Sequence, residues 1–253
     1  MAERKGARRR ADIPKQVLID LNQGKIEART LAEVLAIDFA QLLAHALPEI
    51  KSSADRLLPE MGIVARMREG GSILVETLGK KGIDRCATHR SDTVRGWSAC
   101  AMGQWPGLDV AQRLDWVRGL ADDPNAGVRE WAWLGVRGAI ADDPVRAIKH
   151  LKSWTKDASE RIRRFASEST RPRGVWCSHL EMLVNRPELG LPILKPLRAD
   201  PSKYVQDSVS NWLNDAAKSQ GNWVVDLCEQ WIAESPGPAT ARICKRACRS
   251  LCG

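Results

Sequence analysis

Aromatic side chains other than tryptophan are scarce in this chain: one tyrosine and two phenylalanines stand beside ten tryptophans. Packing therefore falls to the tryptophans, most of which must be buried because each covers a large area. A few remain to present a π face to a base or a cation. Apolar runs are short, and none reaches the length of a membrane span. The charged start MAERKGARRR has no apolar stretch behind it, so it does not read as a secretory signal. There is no P-loop, no G-x-G-x-x-G and no H-E-x-x-H, so nothing asks for a metal or a nucleotide or redox cofactor. Strand-type alternation is short, and Val, Ile and Thr do not cluster. Seven cysteines, an odd number in a long chain without an export signal, fit reduced thiols and a cytosolic protein. Cys244, Cys248 and Cys252 recur every four residues on one helix face; a zinc site would more often offer C-x-x-C pairs, so they read as small core residues.

What is present is positive charge. The 253 residues carry a formal net charge of +8, with a pI near 9.3. Residues 145–173 hold nine Lys or Arg against three acids, and the last twelve residues hold Arg242, Lys245, Arg246 and Arg249 with no acid. A basic band with a basic end points to an anionic partner, and to nucleic acid before a membrane surface.

Along the chain, residues 1–13 read as a basic, mobile tail. Val17, Leu18 and Leu21 mark a short helix ended by Asn22-Gln23-Gly24. Thr30 opens a second helix, with Glu33 three residues on to complete a capping box. Its apolar residues Leu31, Val34, Leu35, Phe39, Leu42 and Leu43 keep helical period up to Pro48. A helix-rich stretch follows to about Gly82, broken at Gly70-Gly71. From about residue 90 a repeat appears: Val94-Arg95-Gly96-Trp97, Val128-Arg129-Glu130-Trp131, Ile162-Arg163-Arg164-Phe165, Val205-Gln206-Asp207-Ser208 and Ile243-Cys244-Lys245-Arg246, spaced 34, 34, 43 and 38. Turn signals such as Asp123-Pro124, Asp200-Pro201 and Pro236-Gly237-Pro238 precede most copies, and 111–120 and 191–197 supply helices between them. Helix pairs of this kind bury their apolar faces only by stacking. The expected fold is all-α, a right-handed α-solenoid of HEAT-like helix pairs with a concave basic face. One domain is expected over 14–253, with N-terminal helices to residue 90 and repeats over 91–253; a regular helix bundle is the alternative.

The stretch 160–176, ERIRRFASESTRPRGVW, concentrates the chemistry. Ile162, Phe165, Ala166 and Ser169 form a small buried face, Asp157 or Ser159 caps the start, and Pro172 stops the helix. Arg161, Arg164 and Glu168 lie on the opposite side, and Arg171 and Arg173 flank the proline. One carboxylate thus sits among four arginines suited to phosphate oxygens. The plain alternative is an Arg164–Glu168 surface pair four residues apart.

These motifs resemble a known family. ASESTRPRGVW at 166–176 looks like the ASEGTRPR-type signature of the AlkC branch of DNA alkylation repair proteins. DPSKYVQDSVSNWLNDAAK at 200–218 resembles the next repeat of that family, LNQGKIEARTLAEVLAIDFAQLL at 21–43 its N-terminal segment, and REWAWLGVR at 129–137 its EFAIR-like stretch. The resemblance implies a HEAT-like-repeat, monofunctional DNA glycosylase removing cationic alkylpurines of the 3-methyladenine or 7-methylguanine type. By motif it implies Glu168 and Glu130 as catalytic carboxylates. Trp212 matches a tryptophan that holds the lesion in the related AlkD branch, and Trp176 is a second candidate for base contact; each has a plain reading, as core and as loop cap. Ser169 stands in place of the family glycine, Gly174-Val175 in place of Leu-Pro, and Trp133-Leu134-Gly135 departs from Ile-Arg-Pro. The chain stops at Gly253, without the C-terminal immunoglobulin-like domain of some AlkC proteins.

The implied chemistry suits the residues. An alkylpurine cation already has a weakened glycosidic bond, and a carboxylate beside the sugar stabilises developing oxocarbenium charge or orients water. Arg161, Arg164, Arg171 and Arg173 would hold phosphates. The expected partner is double-stranded DNA with alkylated bases, bound by a monomer in the bacterial cytosol. A non-catalytic HEAT-repeat protein binding damaged or branched DNA, and a protein–protein scaffold, are the competing readings; the basic band counts against the scaffold.

Overall fold

Short amphipathic segments punctuated by caps and prolines fold into fifteen α-helices, with no strand among the described residues, in a computed structural model that describes residues 4–251. They are α1 (Lys15–Asn22), α2 (Leu31–Ala36), α3 (Phe39–Ala46), α4 (Ile63–Thr77), α5 (Gly79–Cys86), α6 (Asp92–Gln104), α7 (Val110–Ala121) and α8 (Ala126–Asp142). After these come α9 (Pro144–Leu151), α10 (Glu160–Ser169), α11 (Glu181–Asn185), α12 (Leu191–Leu197), α13 (Lys203–Ala217), α14 (Gly221–Glu234) and α15 (Pro238–Ala247). The chain divides into two compact units, one of Met1–Gly107 with Asp123–Val136 and one of Leu108–Asp122 with Arg137–Gly253. The sequence reading had one domain with an internal boundary at residue 90. In the first unit α4 and α5 pack on α6; in the second α10 packs on α13, and α13 on α14 and α15. Each unit is a stack of helices of the α-solenoid type.

Several local expectations hold. Gly24, at φ 67°, sits just beyond α1, where a left-handed residue closes the helix end. Ser159 caps α10 by accepting from Arg161 N, and Ile162, Phe165, Ala166 and Ser169 are buried on it. Others are corrected. The helix expected from Thr30 to Pro48 is two, because Ile37 and Asp38 leave helical geometry and the Asp38 carboxylate caps α3 from Gln41 N at 3.0 Å. Leu31 and Leu35 are consequently exposed. The Thr30 capping box is half formed. Thr30 Oγ1 accepts from Glu33 N, but the Glu33 carboxylate turns to Arg29 N, Ala7 N and the Arg4 guanidinium. That buried carboxylate ties down residues 4–7, which the sequence assigned to a mobile tail. Gly70-Gly71 do not break α4. A Cβ on Gly70 would lie 2.5 Å from the Trp97 ring, and one on Gly71 2.6 Å from Cys100 Cβ, so these glycines admit α6 at close range. Cys244 is buried on α15 and Cys248 half-buried in the turn after it; Cys252 lies outside the described residues.

The repeat has a physical basis in its second residue. Arg95 Nη1 donates to the carbonyls of His89 and Arg90, Arg129 Nη1 to those of Asp123 and Pro124, and Arg163 Nη1 to those of Asp157 and Ala158. In each case the acceptors are the residues six and five positions earlier, in the turn before the helix. Arg95 also grips Asp123 through Nε at 2.8 Å, and Arg163 grips Asp200 at 2.7 Å. Asp123, Asp157 and Asp200 each accept from the backbone N–H two residues on, closing the turn. In the fourth copy Gln206 takes over, its amide donating to Asp200 O at 2.8 Å, again six residues back.

Candidate active site

The end of α10 carries a buried ionic cluster. Glu168 is only 4% exposed. One carboxylate oxygen accepts from Arg171 Nη1 at 2.7 Å; the other accepts from Ser208 Oγ on α13 at 2.7 Å and lies 3.5 Å from Arg164 Nη2. The Ser208 hydroxyl in turn accepts from Ser167 Oγ at 2.8 Å. Arg171 continues the cluster. Its Nε and Nη2 lie 2.9 and 2.7 Å from Asp215 Oδ2, and Lys218 Nζ reaches the other oxygen of Asp215 at 3.1 Å. Burial works against charge on Glu168, but Arg164 and Arg171 outweigh it and hold the carboxyl below the usual carboxylate range. The surface-pair alternative for Glu168 is thereby overturned: its helix face is covered by α13. Asp215 was not singled out from the sequence. Its spacing from Lys218 reads as an ordinary helix pair, and only α13 packing against α10 brings it to Arg171.

Of the four arginines expected around Glu168, two reach it. Arg164 lies over the Tyr204 ring, 4.6 Å from its centroid, and Arg171 bridges two acids, so neither guanidinium stands open for a phosphate. Arg161 turns to the carbonyl of Asp122 at 2.9 Å, and Arg173 to His179 Nδ1 at 3.4 Å. The Ser169 hydroxyl, where the family has glycine, is buried with no hydrogen-bond partner. Glu130 is half-buried on α8 and accepts from Trp133 Nε1 at 2.8 Å.

The two candidate tryptophans separate. Trp212 is fully buried, donates to Thr170 Oγ1 at 3.3 Å and covers Gly190 so closely that a Cβ there would lie 2.4 Å from its ring. It presents no face to a base, and the reading of Trp212 as a lesion contact is corrected to a core tryptophan. Trp176 is the opposite case. It is 53% exposed, the one exposed tryptophan of the ten, beside the exposed Val175. It is also the one non-glycine residue at positive φ among the described residues, at 64°, a conformation that is an outlier for so bulky a side chain.

Among the described residues no group of three or more His, Cys, Asp or Glu is placed to hold a metal, and no helix is long and apolar enough to cross a membrane.

No family model matches the chain. A protein of Bacillus subtilis (strain 168), named uncharacterized protein YhaZ, is 31% identical over 197 residues, which span 76% of this chain and 54% of that protein. Among solved structures, the Pseudomonas fluorescens alkylpurine DNA glycosylase AlkC, bound to DNA containing an abasic site analog, superposes with a TM-score of 0.65 at 27% identity. That match covers 87% of this chain and 62% of that one. A Streptococcus mutans UA159 protein, smu.31, shares the fold with a TM-score of 0.58 at 20% identity, over 73% of this chain and 95% of that one. The chain thus spans about half the length of the curated relative it matches. The resemblance read from the motifs is met by a likeness of structure, and the fold of this chain is that of the AlkC-like DNA alkylation repair proteins.

Proposed function

We propose that the chain is a DNA glycosylase that excises cationic alkylated purines. The observation that carries this reading is the Glu168 carboxylate, held ionised in a buried site at the root of the loop that exposes Trp176. A fixed negative charge in a poorly solvated site stabilises oxocarbenium character far better than the same charge in water. Asp215, on the other side of Arg171, supplies a second carboxylate; Glu130, in the other unit and more open to solvent, is a separate candidate that rests on its motif. Trp176 offers a π face to a base or cation. The likeness to a solved alkylpurine DNA glycosylase bound to DNA supports the same reading. Double-stranded DNA is the partner. The basic groups of 145–173 that hold no buried acid, Arg161 and Arg173 among them, would face its phosphates. The reading carries a bacterial cytosolic protein acting as a monomer, with no metal or cofactor in the step.

A second reading, a non-catalytic protein binding damaged DNA, is favoured by one specific feature: Glu168 and Asp215 are nearly filled with hydrogen bonds and are almost fully covered. Release of methylated bases from methylated duplex, followed by chromatography, separates the two. Free 3-methyladenine or 7-methylguanine above the spontaneous rate supports the glycosylase. Tight binding with no release in a folded protein overturns it.

A further inference from the structure

Arg137, in the last part of α8, is 2% exposed and has no carboxylate hydrogen-bonded to its guanidinium. Three backbone carbonyls hold it instead. Nη1 donates to Ser169 O at 2.7 Å, and Nη2 to Arg171 O at 2.6 Å and Ser178 O at 3.3 Å. Burial pushes its pKa down, and its Nε has no partner. A buried cation that is hydrogen-bonded to backbone carbonyls, with the Cys177 side chain beside it and Glu168 acting only at a distance, is expensive, and a planar fork spans such spread acceptors where a point-like ammonium does not. The acceptors identify what the expense secures. Ser169 and Arg171 lie where the chain leaves α10, and Ser178 lies where it returns toward α11. Leu180 N donates to Pro172 O at 2.9 Å, closing the same neck. Beyond the neck stand Val175 and Trp176, exposed, with Trp176 in the left-handed region. Between the clamped carbonyls, the Arg171 side chain joins Glu168 to Asp215.

We propose that Arg137 is a positioning residue: its guanidinium pins both ends of the loop 170–180, and so sets the place of Trp176 and of the Arg171 bridge between the two carboxylates. It touches no substrate and acts through these residues. Its consequence for excision rests on the glycosylase reading; its consequence for the loop does not.

Two measurements test it, on the whole protein. Trypsin cuts after Arg173, whereas the bond after Arg171 is shielded by Pro172. In Arg137→Gln and Arg137→Lys, well below their melting temperatures, cleavage after Arg173 should speed up by about tenfold or more, because the loop opens locally while the helices persist. Wild-type protection in either folded variant overturns the clamp, whether or not the protein excises bases. The second measurement is single-turnover excision from methylated duplex by Arg137→Gln, Trp176→Ala and the double variant. Lost positioning lowers the rate constant by about tenfold to a hundredfold. Merely lost folding lowers the reacting fraction and leaves the rate constant alone. If Arg137 acts through Trp176, the double variant should be little slower than the slower single variant. Fully additive losses, or a changed fraction with an unchanged rate constant, overturn the positioning role. No excision by wild type on any methylated duplex sinks the glycosylase reading and leaves the proteolysis result to decide the clamp.

Discussion

Glu168 and Arg171, three residues apart at the end of α10, meet at 2.7 Å in a site from which solvent is almost excluded. The pair is not a surface ornament worth a few tenths of a kcal/mol. Removing one partner unbalances a buried cluster, although Arg171 would keep Asp215 and Glu168 would keep Arg164, so the cost lies below the ~3–5 kcal/mol of a fully stranded buried charge. Function and stability are therefore tied together at this residue and must be measured apart.

Glu168→Gln keeps the shape and an acceptor for Ser208 but removes the charge that faces Arg171 and Arg164. The melting temperature should fall. In the protein that remains folded, the single-turnover excision constant should fall by roughly a hundredfold, on the order of 3 kcal/mol. Affinity for undamaged duplex should hold or rise. A wild-type rate constant in the folded fraction would remove Glu168 from the chemistry.

Trp212 is expected to behave as core. Trp212→Ala should cost about 3–5 kcal/mol in urea unfolding. Gly190→Ala should be destabilising too, because its Cβ would strike the Trp212 ring. A stable Trp212→Ala protein that had lost only excision would return Trp212 to the site.

The arginine ladder makes a graded prediction. Arg163→Ala strands Asp200 and two turn carbonyls, and should cost about 3–5 kcal/mol. Arg163→Gln can remake the bond to the carbonyl six residues back, as Gln206 does naturally, and should lose less. Equal losses in chemical denaturation would show that the turn carbonyl contributes nothing.

Two carboxyls give stability opposite pH slopes. Burial works to raise Glu33, but Arg4 and the N–H groups of Arg29 and Ala7 outweigh it and bring it to about 2. Its folded value is below its unfolded one, so its stabilisation is complete above about pH 5 and is lost as pH falls toward 2. Burial pushes Asp92 up to about 6, against the bond from Ala28 N. Its folded value exceeds its unfolded one of about 3.9, so stability declines as pH rises from about 4 to 6 and stays lower above that. Urea unfolding from pH 3 to 8 should show Glu33→Gln losing the acid-side slope, and Asp92→Asn losing the decline between 4 and 6 while gaining on the order of 2 kcal/mol at pH 8. Parallel curves for wild type and Asp92→Asn would place Asp92 in contact with solvent.

By itself the sequence determined that the chain is helical, and where some of its helices begin or end, such as α1 at Gly24 and α10 from its Ser159 cap. Caps, prolines and a 3.6-residue apolar period are local signals, and a helix satisfies its own backbone. It also determined the repeat: the recurring arginine is visible at 95, 129 and 163 because each copy solves the same turn in the same way. Tertiary structure alone decided which charges are buried. Glu168 and Arg164 share the spacing of any surface pair; α13, forty residues on in the chain, covers them and supplies Ser208 and Asp215. Trp212 and Trp176 are equal as letters, yet one packs on Gly190 and the other stands out on a loop at positive φ. Arg137 closes the REWAWLGVR stretch, yet that motif does not show what it holds, because its three carbonyl acceptors are backbone groups, which every residue has and no side-chain pattern records. Burial and carbonyl geometry depend on contacts between segments far apart in the chain, and there the one-dimensional record ends.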